Sequence, residues 1–443
     1  MTRKTAVPEA EQPYQIPDNW RWATIGAVST LYRGVSYQKG DAHTVKGEDD
    51  ILILRGGNIG EGHIDTDSDN VYVNSSLVCK HQIICKHDIL IIGSTGSKTV
   101  IGRAGIALEN YNDVAFGAFL ILVRPAETIN PQYLDYYFLS DDYRNRMKRL
   151  SKGININNIR ADYITRCPVP FPPLAEQQRI VERIESQFAK LDAARENAQS
   201  VLDGFETRKA AILYRAFHGE LTEQWRRAHG LRRSDWTHCK FQEICKIVRG
   251  GSPRPAGDLK YYHGNIPFMK VADITNNPGP YVSSAEHTIK EAGLKKTRMI
   301  SANTLLLTNS GATLGVPAIC TFDTTINDGI AAFLGLNPDF ILFYYYFWLG
   351  KTQELRAINM GMAQPNLNTS IIGNVEIDLP TDIEKKEIVR IVSATLSKQE
   401  QAKDTARQVL DNIDAMKKVI LGRAFRGELG TNRPSEAAPE ASR

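Results

Sequence analysis

Two matched sets of arginine, lysine, asparagine, serine and threonine gather in glycine-punctuated turns of this 443-residue chain. The first holds Arg33, Ser36, Lys39, Arg55 and Asn58, then Ser94, Thr95, Ser97, Lys98 and Arg103, with Lys152, Asn155 and Asn157 further on. The second holds Arg249, Ser252, Arg254, Lys270 and Asp273, then Asn309, Ser310 and Thr313, with Gln364 and Asn366. Arg and Lys can pair with guanine, Asn and Gln with adenine, Asp with cytosine, and small hydroxyls with phosphate. That is the chemistry of DNA readout. Residue by residue, ordinary turn-forming chemistry explains Gly, Asn and Ser equally well; the pairing across two regions is what favours readout.

Signatures of catalysis are missing. There is no glycine-rich cofactor loop after a strand, no Asn-Pro-Pro-aromatic run, and no GxxxxGK[ST], HExxH or GxSxG. Phe171-Pro172-Pro173-Leu174 and Asn337-Pro338-Asp339-Phe340 only approach the methyltransferase signature, and the first reads better as a helix entry. Glu384-Lys385-Lys386 has a nuclease-like look, but the matching site is Glu176-Gln177-Gln178 and both fall on a first helical turn.

The elements that must position the loops come from a long repeat. Phe171 to Leu221 recurs as Leu379 to Leu429 without a gap, at an offset of 208 positions. Pro172 and Pro380 stand just before the helical pattern, Glu176 and Glu384 fall in the first turn, and Gly219 and Gly427 end the pattern, so each copy reads as one long helix. Apolar residues recur at steps of four and three. They are Ile184, Phe188, Leu191, Ala198, Leu202, Phe205 and Ile212 in the first copy, and Val392, Leu396, Ala406, Leu410, Ile413 and Ile420 in the second. Such a stripe is a coiled-coil seam. Arg195, Lys403, Lys209 and Lys417 would face one another in the simplest antiparallel register, which calls for a shifted register or acidic partners such as Glu196 and Asp404. Gly204 weakens the first helix by about 1 kcal/mol relative to alanine.

Direction follows from reach. A helix of about 45 residues is roughly 68 Å long, whereas the connector 222–234 spans at most about 43 Å. The chain cannot easily return beside the first helix before the next domain starts, so the second helix runs antiparallel, with one domain at each end.

Between the helices the repeat is looser. Trp20 aligns with Trp236, Arg33-Gly34 with Arg249-Gly250, and DILIIGSTG at 88–96 with NTLLLTNSG at 303–311. Short apolar runs split by Gly, Asn and Asp argue for β-rich domains. The expected organisation is α+β: two β-rich domains (1–170, opening with a flexible leader 1–17, and 235–378) joined by two long antiparallel coiled-coil helices (171–221 and 379–429). A basic connector spans 222–234 and a disordered tail 430–443. The frame is a pseudo-two-fold internal repeat, and the differing loops predict two readers for two unlike half-sites.

Net charge is only +4, with basic clusters at 144–152, 226–233 and 295–298. Six cysteines without metal-ligand spacing read as buried free thiols. Neither a signal peptide nor a membrane span is evident, which points to the cytoplasm.

Pro172-Pro173-Leu174-Ala175-Glu176-Gln177-Gln178-Arg179-Ile180, the paired motifs 215–221 and 423–429, and Gly361-Met362-Ala363-Gln364-Pro365-Asn366-Leu367 together resemble the specificity subunit of type I restriction-modification systems. The resemblance implies two target recognition domains and no catalytic activity in this chain. It also implies double-stranded DNA as target, two modification (methyltransferase) subunits as partners, and restriction (endonuclease and translocase) subunits. No cofactor is expected in this chain; S-adenosylmethionine, ATP and magnesium belong to those partners. A structural coiled-coil adaptor with protein-binding end domains is the alternative, and a fused methyltransferase would need the missing cofactor loop.

If the helices set the separation of the half-sites, adding one helical turn of about 5.4 Å to both should lengthen the unread spacer by one or two base pairs. Sequencing the DNA that is bound or methylated measures this; an unchanged spacer would contradict it.

Overall fold

Ile89–Ile92 and Thr304–Thr308 are the innermost strands of two matching sheets, and each carries an apolar run that is buried on both faces. In a computed structural model, which describes residues 7–97, 99–153, 158–277, 279–311, 313–358 and 367–437, the chain divides into two compact units. One comprises Met1–Ala198 with Gln408–Arg443, the other Gln199–Arg407. Each unit thus contains a β-rich body together with a stretch of both long helices. Among the described residues no helix is long and apolar enough to cross a membrane.

In the first unit, Ser29–Arg33, Leu120–Pro125, Ile89–Ile92 and Ala104–Ile106 form an antiparallel sheet in that order. A second sheet places Asp50–Leu54 between Tyr72–Asn74 and Val114–Phe116, the latter pairing being parallel. Arg21–Thr24 pairs with Pro168–Phe171 at the foot of the helix. The second unit repeats the plan. Lys246–Arg249, Ile330–Leu334, Thr304–Thr308 and Pro317–Cys320 take the same order, extended by Tyr281–Val282. Tyr262–Met269 runs parallel to Thr324–Ile326, and Thr237–Lys240 pairs with Glu376–Leu379. The fold is the expected α+β two-domain repeat.

The aromatic stretch that follows the sheets in the first unit forms two helices, Pro131–Leu139 and Asp141–Gly153, separated at Ser140, whose hydroxyl donates 2.6 Å to the Tyr137 carbonyl. Its counterpart Ile341–Ile358 is continuous.

The long helices differ as Gly204 suggests. The first is divided into Leu174–Asp203 and Phe205–Phe217, while the second runs unbroken from Asp382 to Phe425 over 44 residues. Gly219 and Gly427 sit at φ +81° and +74°, the left-handed conformation that closes a helix and favours glycine. Ile184, Ala198, Phe205, Val392, Ala406 and Ile413 are buried, and Phe188, Leu191, Leu202, Ile212, Leu396, Leu410 and Ile420 are half-buried. Because an undistorted helix drifts against a strict seven-residue pattern, Leu213 and Leu421 are buried beside the half-buried Ile212 and Ile420 near the ends.

Within the first unit Arg195 pairs with Asp414 and Lys417 with Asp192, 2.6 Å away. A step of three residues one way matches a step of three the other way, which is antiparallel pairing. The same Lys417 lies 5.0 Å from the Phe188 ring centre, and in the second unit Lys403 lies 4.1 Å from that of Phe205. The seam cations therefore do not face one another, and their acidic partners are Asp414, Asp192 and Glu400 rather than Glu196 and Asp404.

A buried carboxylate anchors each unit. Glu384, on the first turn of Asp382–Phe425, accepts from Thr222 Oγ1 (2.7 Å), Arg226 Nε (2.8 Å) and Trp236 Nε1 (2.8 Å). It is therefore structural, which disposes of the nuclease-like reading of Glu384-Lys385-Lys386. Glu176 in the first unit accepts from Arg179 NH2 (2.6 Å) and Thr431 Oγ1 (2.6 Å). Arg179 also binds Glu436 (2.7 Å), and Trp20 donates to Asn432 (3.1 Å). Residues 431–436 are consequently docked, not the disordered start of a tail. The leader is also partly fixed, with Val7 buried and Tyr14 edge-on to Trp22 at 5.0 Å, and the connector contains a helix, Glu223–Ala228. All six cysteines are free, but Cys79 and Cys85 are exposed rather than buried, since neither belongs to a strand or core cluster.

Removing one partner of a buried ion pair strands the other charge, so Glu384→Ala should lower the unfolding free energy by about 3–5 kcal/mol in denaturant titrations; a loss under about 1 kcal/mol would mean that the carboxylate is not an anchor. A second test uses pH. His87 Nδ1 and Asp135 Oδ2 are 2.6 Å apart. Burial, then the Asp88 charge, pushes Asp135 up to about 8, while burial and Lys86 hold His87 below its usual range. The folded pair keeps a single proton and stays neutral, whereas the unfolded chain loses that proton above about pH 6.5. Stability should fall as pH rises from about 6.5 to 8, by on the order of 1–2 kcal/mol, and Asp135→Asn should flatten the trend in thermal melts.

Candidate nucleic-acid interface

The strand ends of each sheet bring part of each predicted set to one place. In the first unit Arg33 ends its strand, Gly34 follows, and Ser36 lies beyond; with Ser94, Phe119, Asn158 and Arg160 they line a cavity of about 370 Å³. Gly34 is required because a Cβ there would meet the Gly117 carbonyl oxygen at 2.1 Å. Arg33, Ser36 and Lys39 are exposed, and so is Ser97, whose hydroxyl lies 2.8 Å from that of Thr99. Ser94 and Thr95 are half-buried.

In the second unit Ser252, Arg254 and Lys270 line a cavity of about 440 Å³ together with Tyr262, His263, Phe268, Glu286, His287, Asn327 and Asp328. Asp328 organises its rim. Its Oδ1 accepts from Ser252 Oγ (2.7 Å), its Oδ2 faces Arg254 NH2 (3.2 Å), and its carbonyl accepts from Arg249 Nε (2.6 Å). Partial burial pushes the carboxyl up, but the Ser252 hydrogen bond and the Arg254 charge outweigh it and hold Asp328 below the usual carboxylate range. The Arg254 guanidinium thus lies at the rim, exposed and paired with Asp328. His263, at φ +59°, lies in the cavity wall where the strand Tyr262–Met269 shifts register against His287–Ile289.

Several predicted residues serve the scaffold. Asn58 is buried: its Oδ1 accepts from the Arg55 amide (2.8 Å) and its Nδ2 donates to the Asp65 and Ser68 carbonyls (3.1 and 2.7 Å). Asp273 does the equivalent task, accepting from the Lys270 and Glu286 amides (2.7 and 3.1 Å). Their pairing across the repeat reflects a shared turn, with neither side chain presented to a ligand. Arg55 is paired with Asp69, and Arg103 NH1 lies 3.5 Å from the Ile59 carbonyl. Asn309 is 1% exposed, and among the described residues neither end of its amide has a hydrogen-bond partner. Ser310 and Thr313 are half-buried beside it. Lys98, Asn155, Asn157, Gln364 and Asn366 lie outside the described residues, as does the side chain of Lys152.

Residue spacing did not reveal Phe119, Asn158, Arg160, His263, His287, Asn327 or Asp328. For two of them a signal existed, since Asn-Asp-Gly at 327–329 is turn-forming. A separate, largely apolar cavity of about 580 Å³, lined by Leu213, Tyr214, Phe217, Phe347 and neighbours, contains none of the predicted reading residues.

Residues 17–200 and 233–409 match the family of the type I restriction modification DNA specificity domain. The type I restriction enzyme StySPI specificity subunit of Salmonella potsdam is 28% identical over 430 residues, covering 94% of this chain and 90% of that protein. The EcoKI specificity subunit of Escherichia coli K12 is 26% identical over 427 residues, with the same coverage. In fold, the chain resembles the crystal structure of the HsdS subunit from Thermoanaerobacter tengcongensis, with a TM-score of 0.66 and 18% identity over 95% of this chain and 100% of that one. A second structure, from work on complex assembly and conformational transition of the type I R-M system, gives 0.65 and 18% over 94% and 100%. With both repeats matched and nearly its whole length aligned, the chain belongs to the type I restriction-modification DNA specificity subunits.

Proposed function

We propose that this chain is the non-catalytic, sequence-reading subunit of a cytoplasmic type I restriction-modification complex. Its target is a bipartite, asymmetric stretch of double-stranded DNA with an unread spacer. One observation carries the asymmetry: a single sheet plan, built twice, surrounds two polar cavities with different linings, Arg33, Ser36 and Ser94 in one and Ser252, Arg254, Lys270 and Asp328 in the other. A duplicated frame with identical linings would suit a palindrome; different linings suit two unlike half-sites.

Arg33, Arg249, Arg254 and Lys270 are the base-reading or phosphate-binding cations, and Ser36, Lys39, Ser94, Thr95, Ser97, Ser252, Ser310 and Thr313 fix the register on the backbone. The relatives' names support assembly with partners. Two methyltransferase subunits using S-adenosylmethionine and restriction subunits using ATP and magnesium supply the chemistry. The adaptor reading has no counterpart among these relatives and is not favoured.

Exchanging residues 19–170 for those of a relative with a different target should replace one half-site and leave the other intact, as read by sequencing the methylated DNA. Replacement of both halves, or of neither, would contradict modular reading.

A further inference from the structure

The two units carry an equivalent turn with unlike chemistry. Gly34 packs on the Gly117 carbonyl as Gly250 packs on that of Asn327, where added Cβ atoms would lie at 2.1 and 2.2 Å. The Val35 amide donates to Phe116 O (2.7 Å) as Gly251 does to Ile326 O (3.0 Å). At the third position the Ser94 amide donates to Phe119 O (3.1 Å) as the Asn309 amide does to Gly329 O (2.9 Å). Residues 117–119 and 327–329 are therefore the same turn.

What they present differs. In the second unit a Cβ on Gly329 would lie 2.7 Å from Val271 and 3.0 Å from Ser310 Oγ, so no side chain fits and Asp328 supplies the chemistry. In the first unit the middle residue is Ala118 and the third is Phe119, whose ring is 68% exposed. Its backbone is pinned by the Gly93 amide as well (2.9 Å). Isolated exposed apolar side chains are common on protein surfaces. This one is set apart by its place: a phenyl ring on a hydrogen-bonded backbone at the rim of the cavity that holds Arg33, Ser36, Ser94, Arg160 and Asp162. Phe119 is the large apolar side chain exposed there, since Leu120, Ile121 and Ile159 are buried beneath it, and Arg160 lies 3.8 Å from the Asp162 carboxylate. Cations and hydroxyls around one exposed ring suit a DNA groove, where phosphates surround bases and the apolar feature of a base edge is the thymine methyl.

Resting on the DNA-reading function above, we propose that Phe119 is a specificity-determining residue that contacts the 5-methyl group of a thymine in the half-site read by the first unit. The second unit, with glycine at this position, has no equivalent contact and reads through Arg254, held by Asp328.

The test uses the full chain assembled with its methylating partner, on duplexes in which each thymine of the half-site assigned to residues 19–170 is replaced in turn by uracil. The wild-type complex should lose roughly five- to tenfold in affinity at one position. Phe119→Ala should lose about as much on the thymine duplex and show no further loss on the uracil duplex, while Phe119→Leu should keep part of the discrimination. Unchanged melting temperatures establish that the variants fold, and recognition of the other half-site should be unaltered. The proposal is overturned if that half-site contains no thymine, if uracil has no effect, if Phe119→Ala remains as uracil-sensitive as the wild type, or if both half-sites weaken together. A wild-type complex that selects no sequence would instead overturn the function on which the proposal rests.

Discussion

A carboxylate buried at the first turn of a long helix, Glu384 in one unit and Glu176 in the other, is the constraint on which the remaining structure depends. Such a charge is tolerable only when donors surround it. In the second unit these come from the chain that has just left the first long helix, Thr222 and Arg226, and from Trp236 at the entrance to the β-rich body. In the first unit Arg179 of the same helix and Thr431 from the C-terminal segment supply them. Each carboxylate therefore ties the start of one helix to chain that follows the other. The helix dipole favours an acid at this end, and the seam of half-buried apolar residues supplies nonpolar burial that the carboxylates do not.

On that frame, duplication yields sameness where the backbone packs and difference where it does not. Gly34 and Gly250 are fixed because no Cβ fits against the crossing carbonyl. In the turn that follows, the side chains differ: Ala118-Phe119 in the first unit corresponds to Asp328-Gly329 in the second. Reading surfaces can diverge there without altering the sheet, since Phe119 and Asp328 both project from turns held by main-chain hydrogen bonds. Specificity can change under selection while the structural frame stays put.

The helical seam was legible because repetition over fifty residues, with apolar steps of three and four, leaves few other structures. That both domains are β-rich and share a frame was legible from the matched apolar runs at 88–96 and 303–311; the strand order was not. The reading residues were harder. Asn58 and Asp273 have the residue types of base readers, yet both spend their hydrogen bonds on neighbouring amides or carbonyls, which composition and pairing do not distinguish from an outward-facing side chain. Asp328 and Phe119 escaped notice because their importance comes from strands distant in sequence crossing at Gly34 and Gly250. The docking of 431–436 was hidden for a similar reason: Pro, Ser and Glu suggest disorder, but Glu436 meets Arg179, 257 residues away in sequence.

The most direct test is selection from a random duplex pool by this chain in complex with its methylating partner, followed by sequencing of the retained DNA. Two short, unlike motifs at one fixed separation, with no preference in the bases between them, is the predicted result. A single uninterrupted motif, a palindrome, or no enrichment would contradict two nonequivalent reading surfaces on a duplicated frame.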